Sequence, residues 1–275
     1  MIKLLWSAPL SAKLGIVIIT AYVVLALFAP WIAPYKETAI VGGAYELWSD
    51  KFVFGTDNIG RDMLTRLIYG ARNTIGIAFV TVLLAFLIGG AAGMLAAILG
   101  GRSDMIIGRI VDILMAIPSL VFALLLLTIF GTSIPSLIAI IALLDSTRVF
   151  RIARSAAMNV VVMEFVEAAR LRGEGMAWVI RKEVLPNITA PLLAEFGLRF
   201  CFVFLFIAAL SFLGLGIQPP LADWGSMVRE TATLINYNDI TPLLPAIAIA
   251  GLTVAVNFVV DWMLHLSSGL RSDSH

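Results

Sequence analysis

Six stretches of this chain approach the roughly 20 consecutive apolar residues that a helix needs to cross the hydrocarbon core of a bilayer. They are residues 14–33, 75–99, 110–130, 134–150, 191–217 and 243–266. Inside lipid every backbone N–H and C=O must be satisfied within the segment itself, which leaves helices or closed barrels. Runs of this length specify helices. The expected fold is therefore all-α, a polytopic membrane protein of about six transmembrane helices. Composition agrees: 60% of the 275 residues are hydrophobic and 13% are charged, against about 25% charged in a soluble domain.

The six segments differ in character. The first follows Lys13 and ends in "APWIAPY", which places Trp31 and Tyr35 at a membrane interface. It is longer than a signal-peptide core and lacks a small-x-small cleavage site, so it reads as an uncleaved span. The second carries Gly89, Gly90 and Gly93, small residues that let a neighbouring helix approach closely. Pro118 bends or interrupts the third, Asp145 and Arg148 lie inside the fourth, and Asn257 and Asp261 lie inside the sixth. Basic residues set the orientation. With the N-terminus inside, the inner side holds Lys3, Lys13, Arg102, Arg109, Arg148, Arg151, Arg154, Arg170, Arg172, Arg181, Lys182 and Arg271. The outer loops hold fewer cations and many acids, among them Glu37, Asp57, Asp62 and Glu230. Both termini are expected in the cytoplasm.

Several kinds of chemistry are missing. Cys201 is the single cysteine, set in a Phe-rich run, and reads as packing rather than a reactive thiol. His265 and His275 are too few and too peripheral for a His-rich metal site. There is no GxxxxGK[ST] loop, so nucleotide is not bound through a P-loop. A net charge of +1 gives no general attraction to nucleic acid. None of the polar regions 35–73, 151–190 and 218–241 is large enough for a soluble domain with a core of its own.

The central polar region is the informative one. Residues 160–172 pattern as a short amphipathic helix, with Val162, Phe165, Val166 and Ala169 at helical spacing. Gly173 and Gly175 break it, and a second helical stretch, 176–184, is expected to stop before Pro186, because the residue preceding proline is pushed out of the α region. On the cytoplasmic face such a helix-turn-helix either lies on lipid headgroups or inserts into a groove of a soluble partner.

Glu167, Ala168, Ala169, Gly173, Leu185 and Pro186 match, in order and spacing, the EAA motif of ABC-importer permease subunits, and Asn187 matches the dipeptide, oligopeptide and nickel branch, whose loop tends to end in LPN. "FGTDNIGRDMLTRLIYGAR" before the second span and "LSFLGLGIQPPLADWGSMV" at the end of the fifth resemble two further signatures of that branch. Glu183 departs from it, standing where a basic residue or histidine is usual, as does the tail "VDWMLHLSSGLR".

The resemblance implies the type I ABC importer permease fold and half of a translocation pore in a bacterial inner membrane, with no catalytic residues in this chain. Residues 1–13 would be a cytoplasmic N-terminus, and 14–72 the first span and an outer segment bearing GTDNIGRD. Residues 73–266 would form the core, with a coupling loop at about 155–190, and 267–275 a cytoplasmic tail. Glu167, Ala168, Ala169, Gly173, Leu185 and Pro186 would couple to a cytoplasmic ATPase. Expected partners are a second homologous permease, one or two ATPase subunits and an extracytoplasmic substrate-binding protein. This chain is expected to hold no cofactor and no metal, with ATP and Mg bound by the partners. Peptides are the implied cargo, with nickel chelates, opines and sugars as alternatives within the class.

Two further sets of residues stay open. Asp57, Gly60, Arg61 and Asp62 read either as an outer gate or as a structural cap on a helix before the second span. Asp145 with Arg148, and Glu195 with Arg199, read as locally neutralised pairs, while Asp112 and Asp261 carry no assigned role. An ion-coupled secondary transporter is the competing class; it usually has internal repeats and midplane charges, and no repeat relates the two halves of this chain.

Overall fold

The computed structural model describes residues 8–237 and 239–267. Lys3, Arg271, His275 and most of the expected tail lie outside the described residues. Among the described residues ten α-helices follow in order: α1 Leu10–Ile32, α2 Met63–Leu99, α3 Gly101–Ala116, α4 Ser119–Phe130, α5 Ile134–Val161, α6 Glu164–Leu171, α7 Met176–Val179, α8 Leu185–Phe212, α9 Trp224–Thr231 and α10 Leu243–Ser267. A π-helical turn, Ile180–Val184, joins α7 to α8, and a 3₁₀ turn, Ala232–Tyr237, follows α9.

Among the described residues four helical stretches are long and apolar enough to cross a membrane: Leu10–Ile32, Met63–Leu99, Met176–Phe212 and Leu243–Leu266. The expected third span is two helices, α3 and α4, meeting at 87°. The interruption falls at Ile117–Pro118, where the proline removes an N–H and restricts the residue before it. The expected fourth span, α5, runs on to Val161 and carries Asp145, Arg148, Arg151 and Arg154, so by composition it is not an apolar span. Among the described residues the six expected segments are thus four apolar helices, a pair broken at the expected Pro118 and one charged helix.

The second and fifth spans also differ from expectation at their starts. α2 begins at Met63, twelve residues before the apolar run, because Asp62 caps it by accepting from the Thr65 N–H at 2.7 Å. The helix preceding α8 does not stop at Pro186. Leu185 keeps right-handed helical dihedrals (φ −57°, ψ −44°), and its N–H donates to the carbonyl of Ile180. The five-residue periodicity widens this turn and relieves the clash a proline ring has with the carbonyl four residues back.

The core forms where α2 runs along α5. A Cβ on Gly93 would stand 2.6 Å from the Phe150 carbonyl oxygen, so the two backbones touch there; at Gly90 nothing lies within 4 Å. α8 and α10 close the bundle, and α1 packs on α2 and α10 while leaving Leu14, Val17, Leu27 and Trp31 exposed to the surroundings. Trp224, close after Pro219 and Pro220, is of a residue type enriched at membrane–water interfaces. It is buried instead: its indole N–H donates to the Leu67 carbonyl at 2.9 Å, and Tyr22 and Phe204 meet its ring edge-on. Its side chain pins α9 to α2 and α8.

Candidate functional site

Between α5 and α8 the chain leaves the bundle as an elbow. α6 starts at Glu164 rather than near residue 160, because α5 continues to Val161 and Met163 takes the extended N-cap conformation. Glu164 and Glu167 occupy the first turn of α6 and Arg170 the last, each sign matched to the helix dipole. After Arg172, Gly173 adopts φ +83°. Its N–H donates to the Arg170 carbonyl (2.9 Å), and the Glu174 N–H donates to the Ala169 carbonyl (3.2 Å). This is a Schellman C-cap, which favours glycine at the left-handed position. Arg172 reaches across the turn to Glu183 (4.0 Å) and the Trp178 ring (5.8 Å), tying α6 to the second limb.

The amphipathic face expected on this helix is divided. Val166 and Ala169 are fully buried with Met94, Ala157, Val179, Val184 and Ile188, which fastens the elbow to the ends of α2, α5 and α8. Val162 and Phe165 point away, 81% and 41% exposed, with Met163 and Leu171 beside them. Glu167, Ala168 and Gly173 are exposed as well. Of the residues matching the motif, the structure therefore presents Glu167, Ala168 and Gly173 on one protruding turn. It puts Ala169 inside and leaves Leu185 and Pro186 at the junction with α8. Asn187 bonds that junction locally, donating to the Glu183 carbonyl at 2.6 Å.

At the opposite end of α2, Asp57, Gly60, Arg61 and Asp62 come together, all buried. Asp57 accepts from the backbone N–H groups of Ile59 and Arg61 (2.9 Å each), from Arg61 Nε (2.6 Å) and from Arg66 Nη1 (2.9 Å). Arg66 also reaches Glu230 at 2.6 Å, linking this segment to α9. Glu37 accepts from Asn73 and from the Ala222 N–H. This geometry is a brace between the 35–62 segment, α2 and α9. Arg66 and Asn73 were given no role from sequence, although polar residues recur at helical spacing across "GRDMLTRLIYGARN", and Glu37 and Glu230 were read only as outer-loop acids. Asp223 caps α9 by accepting from the Ser226 N–H, and also accepts from the Thr74 hydroxyl (3.0 Å). Burial pushes its carboxyl above the usual range, against these hydrogen bonds.

The charges inside the bundle form one group. Asp145 lies 3.9 Å from Arg148 and 3.5 Å from Arg199, which pairs with Glu195 at 2.7 Å. The two pairs expected along single helices thus join across α5 and α8. Asp112 pairs with Arg151 at 2.7 Å in an exposed position, and Asp104 meets Arg154 through both carboxylate oxygens. Asp261 and His265 are exposed near the end of α10. Cys201 is buried, with its sulfur near the Thr253 carbonyl and the Asn257 amide. Among the described residues no three His, Cys, Asp or Glu side chains are grouped to hold a metal.

The chain is similar to known proteins along most of its length. Residues 89–269 match the family described as binding-protein-dependent transport system inner membrane component, and residues 11–45 match the N-terminal TM domain of oligopeptide transport permease C. The dipeptide transport system permease protein DppC of Alkalihalophilus pseudofirmus is 34% identical over 91% of this chain and 83% of that protein. The di/tripeptide transport system permease protein DppC of Pseudomonas aeruginosa is 34% identical over 90% and 84%. The peptide transport system permease protein SapC of Escherichia coli is 35% identical over 91% and 87%. In fold, the chain resembles a crystal structure of an amino acid ABC transporter with histidines, at a TM-score of 0.53 and 20% identity over 74% of this chain and 94% of that one. The chain belongs to the binding-protein-dependent transport system inner membrane components, as an ABC transporter permease subunit rather than an enzyme.

Proposed function

We propose that this chain is half of the pore of an ATP-driven peptide importer, and that the α6–Gly173–α7 elbow is where a cytoplasmic ATPase takes hold of it. The observation that carries this reading is the division of the elbow's apolar residues. Val166 and Ala169 anchor it rigidly to three long helices, while Val162, Phe165, Ala168 and Leu171 remain uncovered around Glu167. A cap so anchored transmits a push to the bundle; a loosely tethered loop would absorb it. Uncovered apolar side chains beside charged ones fit a groove in a protein. Glu167 would hold the elbow in the groove by polar contacts, and Gly173 would keep the turn's shape.

Pumping needs two pore states and a bias between them. With ATP and Mg bound by the partner ATPases, closure of an ATPase pair would draw the elbow and carry α2, α5 and α8 with it. A second homologous permease would complete the pore, and a substrate-binding protein would deliver cargo at the opposite face. The distribution of basic residues supports a cytoplasmic elbow and cytoplasmic termini on this reading. Peptide cargo is supported by the names of the relatives, which are dipeptide, di/tripeptide and peptide permeases.

The test is reconstitution with the candidate partner subunits, reading ATP-dependent peptide uptake and recovery of the ATPase with the purified permease. Glu167→Arg and Gly173→Pro should leave membrane insertion intact and lose both readouts. ATPase recovery that survives both changes sinks the docking assignment. Uptake by the lone chain without ATP would favour an ion-coupled carrier. Uptake of a nickel chelate, opine or sugar but no peptide would move the cargo within the class.

A further inference from the structure

At the bend between α3 and α4 the bundle leaves a half-open cavity of about 210 Å³, lined by Met115, Pro118 and Ser119 on one side and by Asp145, Arg148 and Phe202 on the other. It is smaller than the ~300–1,000 Å³ of pockets for drug-sized ligands, which suits one or two residues of extended main chain.

Two features of its wall point to a ligand with both charges. Asp145 is 3% exposed, and its Oδ2 has no hydrogen-bond partner, although a buried carboxylate oxygen ordinarily finds one. Its Oδ1 takes up the nearby cations only loosely, with Arg199 at 3.5 Å and Arg148 at 3.9 Å. Arg148 is correspondingly under-used. Its guanidinium rests 4.3 Å above the Phe202 ring, and its side chain is 32% exposed. The first turn of α4, beginning at Ser119, has no side-chain cap, so its N–H groups add positive potential on the same cavity. Arg199 is shared between Glu195, an ion pair at 2.7 Å, and Asp145, and does not line the cavity.

We propose that this cavity is a subsite for the main-chain termini of a short peptide, Asp145 receiving the ammonium and Arg148 with the α4 N-terminus receiving the carboxylate. The proposal rests on the peptide reading above and adds to it a contact inside the permease itself. Phe202 and Met115 supply apolar surface for a side chain, while the paired charges require both ends of the ligand to be free. An interhelical brace would need the same four charges but would favour no ligand.

The test uses the complex of this chain with its permease and ATPase partners in nanodiscs, without the binding protein. It is titrated with dialanine, N-acetyl-dialanine and dialanine amide. The wild type should prefer dialanine to each capped form by about tenfold or more. Asp145→Asn should lose the preference over the acetylated form, and Arg148→Gln the preference over the amide, each still binding the remaining forms. The proposal is overturned if the wild type shows no preference, if either variant keeps it, or if a variant weakens all three ligands alike as a purely structural residue would. Dialanine uptake by the complete transporter with its binding protein is measured alongside. Absent wild-type uptake overturns the peptide reading itself, whereas normal uptake without charge-selective binding overturns the subsite alone.

Discussion

Gly89 and Ser146 meet backbone to backbone: a Cβ added at Gly89 would stand 2.2 Å from the carbonyl oxygen of Ser146. No side chain can yield there, so α2 and α5 would have to separate. Gly89→Ala should therefore destabilise the permease by about 1–3 kcal/mol, as overpacking does in well-filled cores. Gly90→Ala meets nothing within 4 Å and should be neutral or stabilising by up to the ~1 kcal/mol difference in helix propensity. Thermal unfolding of both variants in the same detergent checks the contrast. Equal melting temperatures would place the α2–α5 contact elsewhere.

Arg66 is 1% exposed and joins Asp57, itself fully buried, to Glu230. Arg66→Met removes the bridging cation and leaves two acids without it in a nearly dry site. Loss of one partner from a buried ion pair costs about 3–5 kcal/mol. The expected result is a lower melting temperature together with faster proteolysis between residues 35 and 62, which the network holds against α2 and α9. Unchanged cleavage there would show that the segment is held by its apolar contacts alone.

These two sites also mark what the sequence could and could not reveal. The closeness at Gly89 and Gly93 was legible because small residues inside an apolar run have few other uses. The break at Pro118 was legible for a similar reason. The brace at the start of α2 was legible only in part: Asp62 could be read as a cap, but the partners of Arg66 and Asn73, Glu230 and the Ala222 carbonyl, lie 164 and 149 residues away in the chain. The elbow's existence followed from Gly173 and the polar run around it. Which residues faced inward did not, since Val162 and Val166 are equally apolar and only the ends of α2, α5 and α8 decide between them. The continuous helix through Pro186 depends on a π-helical turn, and no residue pattern announced it.

Asp223 gives a dependence on pH. Burial holds its folded-state pKa above 3.8, outweighing the hydrogen bonds from the Ser226 N–H and the Thr74 hydroxyl. A raised acid pKa means that the folded protein binds the proton more tightly than the unfolded chain. The stabilisation from this group is therefore full below pH 3.8 and declines as pH rises through the folded value. Asp223→Asn keeps an acceptor for the α9 cap and cannot ionise, so its stability should lack that decline. Melting temperatures of the two proteins across the acid range decide it; parallel curves would mean that Asp223 ionises without cost.

Gly173 and Gly175 sit two residues apart in the elbow and differ in backbone conformation. Gly173 is at φ +83°, whereas Gly175, at φ −72° and ψ 159°, occupies extended space open to any residue. A Cβ would meet nothing within 4 Å at either position, so packing cannot separate them and backbone strain can. Gly173→Ala should cost about 1–2 kcal/mol locally, the usual penalty for a left-handed L-residue, by loosening the cap that fixes the angle between α6 and α7. The bundle lies away from the turn, so its melting temperature should move little. ATPase recovery with the permease should fall by a few-fold to tenfold for Gly173→Ala and stay at the wild-type level for Gly175→Ala. Equal recovery for the two alanine variants would mean that the docking surface tolerates a remodelled turn, and the rigid-elbow account of force transmission would have to be given up.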